Sequence, residues 1–370
     1  MREAPSPARN EGKMSRFFSP THKNLKAYTP GEQPKERTYI KLNTNESPFP
    51  PSAGVLAAVS AEVDRLQLYS DPECTELVSL MAARFGVEKE NVLMTNGSDE
   101  ILSFAFMAFC DADHPIVFPD ITYGFYPVFA ELYHVPFEVI PLKGDFSIDV
   151  NDYIGIGKNI VIANPNAPTG LLLSLSDIER IVASNPDHVV VIDEAYIDFG
   201  GESAIPLTKK YENLLVTGTF SKSRSMAGAR LGFGIASAAL IRDLATMKYS
   251  TNPYNINRMT AAAGAAALRE DDYYMANCAE IIRVREKTKK ELEEMGFFVT
   301  ESKANFLFAR SNMVDGEALY RKLREKGVLV RHFAGERIKE FNRITIGTEA
   351  QMARFTEAVR EILNEGGTAT

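Results

Sequence analysis

The stretch Thr219-Phe220-Ser221-Lys222-Ser223-Arg224-Ser225-Met226-Ala227-Gly228-Ala229-Arg230-Leu231-Gly232-Phe233 sets a lysine and an arginine where apolar sequence gives way to polar loop. The run Leu214-Leu215-Val216 before it reads as a buried strand. Lys222 therefore leaves a carboxyl end, the edge at which open α/β sheets gather their ligands. A lysine partly withdrawn from water there can form a Schiff base with an aldehyde. Ser221 and Arg230 add a hydroxyl and a forked guanidinium, donors that suit a phosphate. Taken alone, the segment reads more simply as a solvated basic loop.

Other polar clusters complement it. Asn96-Gly97-Ser98-Asp99-Glu100 follows the apolar Val92-Leu93-Met94 and opens a helix. Backbone N–H groups at Gly97, Ser98 and Asp99 would face an anion with the helix dipole behind them, although the same residues make an ordinary N-cap. Asn164-Pro165-Asn166-Ala167-Pro168-Thr169-Gly170 is a fixed turn, whether structural only or presenting the Asn166 amide to a ligand oxygen. Asp193 emerges from the apolar Val189-Val190-Val191-Ile192 and needs a partner, which a pyridinium nitrogen, a helix start or an arginine could each supply. Tyr123, in Thr122-Tyr123-Gly124-Phe125-Tyr126, is either core or a flat ring laid against a heteroaromatic one.

The elements that must position these groups follow from the apolar pattern. Short apolar runs alternate with helix-like stretches from Val92 to Ile235, predicting an α/β domain with a mostly parallel sheet of seven strands. The strands are expected at 92–94, 115–118, 137–140, 159–163, 189–192, 214–216 and 231–235, several apolar on both faces and so covered on both sides. The stretch from Ile101 to Cys110 is apolar nearly all round and predicts a deeply buried helix. An Ala-rich helix up to Leu268 and a charged one from Asp271 to Met295 lead into a small α+β domain. Its strands are expected at 297–299, 305–308, 328–330 and 343–346, its helices at 315–326 and 351–365. The resulting division is a disordered extension over 1–23, an N-terminal segment over 24–50 that joins the small domain and the site, a large domain over 51–265 and a small domain over 266–370. Residues 1–13 carry almost nothing to bury, and Met14 offers an alternative start.

Bulk composition excludes several classes of function. The 370 residues are 45% hydrophobic and 24% charged, as in ordinary globular chains. A net charge of −8 argues against non-specific binding to nucleic acid or anionic membrane and leaves room for a local basic site. Cys74, Cys110 and Cys278 form neither a disulfide framework nor a zinc motif, which points to the cytoplasm and to no bound metal. No apolar run approaches the roughly eighteen residues of a membrane span, and no secretory signal is present. The GxGxxG fingerprint of a Rossmann dehydrogenase is missing, and nothing resembles a fused DNA-binding domain.

With these residues in hand, the chain resembles the fold type I pyridoxal-phosphate enzymes, and within them the histidinol-phosphate aminotransferases, from about residue 24 to the end. The resemblance is carried by Lys41-Leu42-Asn43-Thr44-Asn45-Glu46-Ser47-Pro48, Tyr69-Ser70-Asp71-Pro72, Asn96 to Glu100, Val191 to Phe199, Thr219 to Gly232 and Arg343-Ile344-Thr345-Ile346-Gly347-Thr348. It implies that Lys222 forms a Schiff base with pyridoxal 5'-phosphate and later moves the proton. Asp193 would pair with the ring nitrogen, Tyr196 with the phenolic oxygen, and Tyr123 would stack on the ring. Gly97, Ser98, Asp99, Ser221 and Arg230 would hold the phosphate, and Thr219 would also bind the cofactor. Tyr69 would reach the cofactor of the partner subunit in a homodimer.

By the same resemblance Tyr28, Asn45, Arg331 and Arg343 would bind the substrates, a phosphorylated amine and L-glutamate or 2-oxoglutarate. One departure stands out: the family usually has Asn-Asn-Pro-Thr-Gly, and this chain has Ala167 in place of the second asparagine, leaving Asn166 or Tyr196 to bond the phenolic oxygen. The expected reaction is amino transfer from L-histidinol phosphate to 2-oxoglutarate in histidine biosynthesis. A threonine-phosphate decarboxylase or an aromatic, broad-specificity aminotransferase would need much the same residues.

Overall fold

The computed structural model describes residues 15–23 and 25–367. In chain order the elements are β1 (Ile40–Lys41), α1 (Ala53–Glu62), α2 (Thr75–Phe85), β2 (Val92–Thr95), α3 (Ser98–Phe109), β3 (Ile116–Pro119), α4 (Tyr126–Tyr133), β4 (Phe137–Ile140), β5 (Asn159–Ala163), α5 (Leu175–Ser184), β6 (Val190–Asp193) and β7 (Leu214–Thr219). They continue with β8 (Gly232–Ile235), α6 (Ala238–Thr251), α7 (Arg258–Arg269), α8 (Asp271–Glu294), β9 (Phe297–Val299), β10 (Phe306–Ser311), α9 (Gly316–Glu325), β11 (Val328–Leu329), β12 (Arg331–His332), β13 (Phe341–Thr345) and α10 (Glu349–Gly367).

The seven apolar runs between residues 92 and 235 all enter one sheet, in the order β2-β8-β7-β6-β5-β3-β4. Only β8 runs antiparallel to its neighbours. Alternate side chains leave a strand on opposite faces, and here each face has its own core. Ile160, Ile162, Val190, Ile192, Leu214 and Val216 pack on one side with α2, α5 and α7. Val161, Val191 and Leu215 pack on the other with α3, α4 and α6. Each such side chain removed from water contributes about 2 kcal/mol, so strands apolar on both faces can lie only between two helical layers. β4 departs from this: it is one of the two edge strands, and its Phe137 and Val139 are exposed.

The smaller unit is the antiparallel sheet β12-β13-β10-β9, with the parallel pair β1-β11 beside it. Its core joins Leu307, Ile344, Leu319 and Phe355 to Leu42, so the segment before α1 belongs structurally to this unit. The hand-over between units lies later than residue 265, which falls inside α7. Ala263, Ala266 and Ala267 of α7 and Tyr274 at the start of α8 still pack in the large core, Met275 borders both, and Cys278 is the first buried α8 residue in the small one. Of the tail expected to be disordered, residues 1–14 lie outside the described residues. Pro20–His22 form a short 3-10 turn with the His22 ring stacked on His134 at 5.4 Å.

Parallel pairing gathers the loops that matter. Ala163, Asp193 and Thr217 are neighbours in register, so the segments leaving β5, β6 and β7 open on the same edge. Thr95 and Thr219 both flank Gly232, which brings the start of α3 beside the loop carrying Lys222.

Candidate active site

Lys222 lies just beyond β7, and its Nζ donates to the backbone oxygen of Thr44 at 3.3 Å. The ammonium also sits 5.8 Å from the centre of the Tyr196 ring. Burial, helped by the Arg343 guanidinium, lowers its pKa to about 8. At neutral pH about a tenth of the amine is therefore unprotonated, far more than for an ordinary lysine, which favours Schiff-base formation. The rate at which cofactor-free protein takes up an aldehyde at Lys222 is expected to rise with pH to a midpoint near 8. A stopped-flow pH profile of uptake checks this, and a midpoint near that of free lysine contradicts it.

Asp193 ends β6 and is buried. Its Oδ2 accepts from the Tyr126 hydroxyl at 2.9 Å, and its Oδ1 accepts longer bonds from the Ala195 N–H at 3.3 Å and the Thr217 hydroxyl at 3.4 Å. Burial raises its pKa to about 6 against the lowering effect of the Tyr126 bond. The site thus holds an ionisable carboxylate with no arginine or lysine bonded to it among the described residues, the chemistry that a protonated ring nitrogen satisfies.

Tyr196 follows β6, and its hydroxyl accepts from Asn45 Nδ2 at 2.9 Å. Tyr123 donates to Asp99 Oδ1 at 2.7 Å, and Asp99 Oδ2 pairs with Arg230 at 3.1 Å. Arg230 also reaches Ser221 Oγ at 3.4 Å, and the Thr219 hydroxyl donates to Ser221 Oγ at 2.9 Å. Gly97 caps α3 with φ of +76°, and a Cβ there would overlap the Arg230 guanidinium. A Cβ at Gly232 would overlap the backbone of Gly97 and Ser98. Gly97 is needed for its positive φ and Gly232 for the close backbone approach of helix start and lysine loop, leaving the first N–H groups of α3 beside a guanidinium, a ready cradle for phosphate.

A cavity of about 170 Å³ opens beside Lys222, with Tyr28, Asn45, Tyr123, Tyr196, Arg331 and Arg343 also in its wall. Arg343, on β13, donates from Nη2 to the Asn43 carbonyl at 3.1 Å, while its buried Nε has no hydrogen-bond partner. Its guanidinium lies 5.4 Å from the Phe306 ring and 5.7 Å from that of Phe333. Arg331 donates to the Thr29 carbonyl at 3.3 Å.

Two expected residues stand elsewhere. The Asn166 amide is turned into its own loop, donating to the Ile121 carbonyl and Thr169 Oγ1 and accepting from the Thr122 hydroxyl, while Ala167 lines the cavity. The turn needs those bonds because Asn166 is buried, so its side chain is not presented to a ligand as expected. Tyr69 is 79% exposed and stacks on Tyr254 at 4.5 Å, outside the cavity of its own chain. Thr44, Tyr126 and Phe333 were not singled out from sequence. Tyr126 ends the same short stretch as Tyr123, and its one sequence signal is a tyrosine placed where a helix begins.

The sequence matches the family described as aminotransferase class I and II over residues 37–359. The histidinol-phosphate aminotransferase of Brachyspira hyodysenteriae is 49% identical over 95% of this chain and 99% of its own length. The chain belongs to that family. A second member, from Aromatoleum aromaticum, is 48% identical over 95% of the chain and its whole length. The histidinol-phosphate aminotransferase of Sinorhizobium meliloti, solved in complex with pyridoxal-5'-phosphate, shares the fold with a TM-score of 0.86 at 22% identity, covering 96% of this chain and 99% of that one.

As a class I and II aminotransferase, the protein works with pyridoxal phosphate. The residues present fit that group: a weakly basic buried lysine, a buried carboxylate without a cation, and a glycine cradle beside a guanidinium. Among the described residues no helix is long and apolar enough to cross a membrane.

Proposed function

We propose that this enzyme moves the amino group of L-histidinol phosphate to 2-oxoglutarate, giving imidazole-acetol phosphate and L-glutamate, as a cytoplasmic step of histidine synthesis. Among the structural observations, the one that carries the substrate reading is Arg343, whose buried Nε lacks a partner in the same cavity as Lys222, with Arg331 close by. A forked cation of this kind suits both anions the reaction must seat, the donor's phosphate and the acceptor's carboxylate.

When bound, pyridoxal phosphate supplies an electron-accepting ring that stabilises negative charge at the substrate carbon and carries nitrogen between the half-reactions. Lys222 is the proton carrier: its Nζ takes the proton from the donor carbon and returns it, and its lowered pKa suits both directions near neutral pH. Asp193 would keep the ring nitrogen protonated, Tyr196 would bond the phenolic oxygen, and Tyr123 would offer its ring to that of the cofactor. Ser98, Asp99, Thr219, Ser221 and Arg230, around Gly97, hold the phosphate. Tyr28 and Asn45 complete the substrate wall.

We propose further that the enzyme is a homodimer in which Tyr69 serves the partner's site. In support, Leu56, Val63, Leu66 and Leu68 are exposed on the segment that leads to Tyr69, with Tyr254 beside it. A row of large apolar groups marks a surface for association.

The test is the absorption spectrum of cofactor-loaded enzyme mixed with L-histidinol phosphate and no keto acid. Conversion of the visible band to that of the aminated cofactor supports this donor. An unchanged band rejects it, and conversion by an aromatic amino acid, or release of carbon dioxide from threonine phosphate, would move the assignment to those reactions.

A further inference from the structure

Tyr126 is used by none of the roles above, yet it is fully buried and opens α4 with its ring edge-on to Tyr123, the centroids 5.6 Å apart at 84°. On its other side the ring is tilted against Phe118 at 5.9 Å. Its hydroxyl donates to Asp193 Oδ2, 2.9 Å away. Among the described residues this is the shortest hydrogen bond to the Asp193 carboxylate and the one made to Oδ2; the bonds from the Ala195 N–H and the Thr217 hydroxyl both go to Oδ1.

We propose that Tyr126 is a positioning residue: it fixes the Asp193 carboxylate and keeps it ionised, and through its edge contact it seats Tyr123. A buried carboxylate without a cation tends to take up a proton, and hydrogen bonds to the ionised form oppose that. The charged and titratable groups acting on Asp193 are few. Asp99, at the start of α3, disfavours a second negative charge, while the Tyr126 hydroxyl and, less strongly, the Thr217 hydroxyl on β7 favour it. Tyr123, Tyr196 and Glu194 are the other titratable groups that sense the Asp193 charge. Losing the Tyr126 hydroxyl therefore leaves Asp193 protonated to higher pH. A protonated Asp193 cannot balance a protonated ring nitrogen, so the inference rests on the reading of Asp193 as that nitrogen's partner.

The linkage has a definite sign. A carboxylate whose pKa is raised on folding stabilises the fold most below its unfolded pKa, and that contribution declines as pH rises through the folded pKa, here about 6. Tyr126→Phe raises the folded pKa again, so the decline continues to higher pH than in the parent. The difference in melting temperature between cofactor-free Tyr126→Phe and parent should grow as pH rises from about 6 to about 8. A hydroxyl that only fills the core would give a difference independent of pH, and that result overturns the proposal.

The control is the same substitution in Asp193→Asn protein, where no charge remains to hold and the pH dependence of the difference should vanish. If it persists there, the effect does not pass through Asp193 and the proposal fails. With cofactor, Tyr126→Phe should bind pyridoxal phosphate about tenfold more weakly at pH 8, the size of one hydrogen bond to a charged group. It should also lower kcat while KM for the amino donor stays near its parent value. A pH-dependent stability difference without any loss of cofactor affinity would separate the cases: Tyr126 holds Asp193, but Asp193 does not serve the ring.

Discussion

Lys222→Ala is expected to remove measurable turnover, a loss of about 10⁴-fold or more in kcat, because one side chain supplies both the covalent link and the proton transfer. The geometry makes the loss hard to compensate. Nζ lies between the Thr44 carbonyl and the Tyr196 ring, and no other lysine lines this cavity. Tyr196 cannot take the proton in its place, since burial pushes its hydroxyl pKa up. Folding should survive, because what is lost is one hydrogen bond to Thr44 and the contacts of the side-chain stem, while the loop is held by other residues. Arg224 pairs with Asp271 at 2.7 Å and Ser223 bonds Asp198, both independent of Lys222. The measurement is a single turnover with stoichiometric enzyme and donor, alongside a melting curve. Activity within tenfold of the parent would end the assignment of Lys222, and rescue of the variant by an added primary amine would strengthen it.

Most of this framework was legible in the sequence because it rests on patterns that sequence displays. Several of the seven runs from Val92 to Ile235 are apolar on both faces, which calls for a sheet covered on both sides, and each run became a strand within a residue or two, with the Leu214 run extending to Thr219. Asp193 stood out for a related reason: a charged residue directly after a fully apolar run has few reasons to be there, and Lys222 lies in the polar loop beyond β7. The bonds that tune these groups were not legible. Tyr126 reaches Asp193 across 67 positions, and Asn45 reaches Tyr196 across 151. Such partners depend on strand order and on ring packing, and no local spacing encodes them. For Asn166 the sequence left open a structural turn or an amide shown to a ligand, and its burial has the amide bonding the loop around it. The division of the chain at residue 265 falls inside α7, because an Ala-rich helix looks alike whichever core it faces and the packing of α7 is not written in its sequence.

Arg343→Ala is expected to impair both half-reactions, lowering kcat/KM for the phosphorylated donor and for glutamate by about 100-fold each, the scale of a lost charge-assisted, two-pronged hydrogen bond. The expectation follows from how the guanidinium is held. Burial lowers its pKa, yet arginine keeps its proton, so the cavity carries a fixed positive charge whatever the substrate. Nη2 is committed to the Asn43 carbonyl and the guanidinium lies near the Phe306 and Phe333 rings, so the fork is oriented before any ligand arrives. That orientation reduces the ordering needed on binding, which is why Arg343→Lys should recover only part of the loss: it restores charge without the fork. Measuring the two half-reactions separately, each as a single spectral turnover, gives the decision. Equal losses support one anchor serving phosphate and carboxylate in turn. Loss confined to the phosphorylated donor would assign the carboxylate to another cation, with Arg331 the nearest choice in the same wall. Loss confined to glutamate would make Arg331 the phosphate anchor and undo the shared role argued for Arg343.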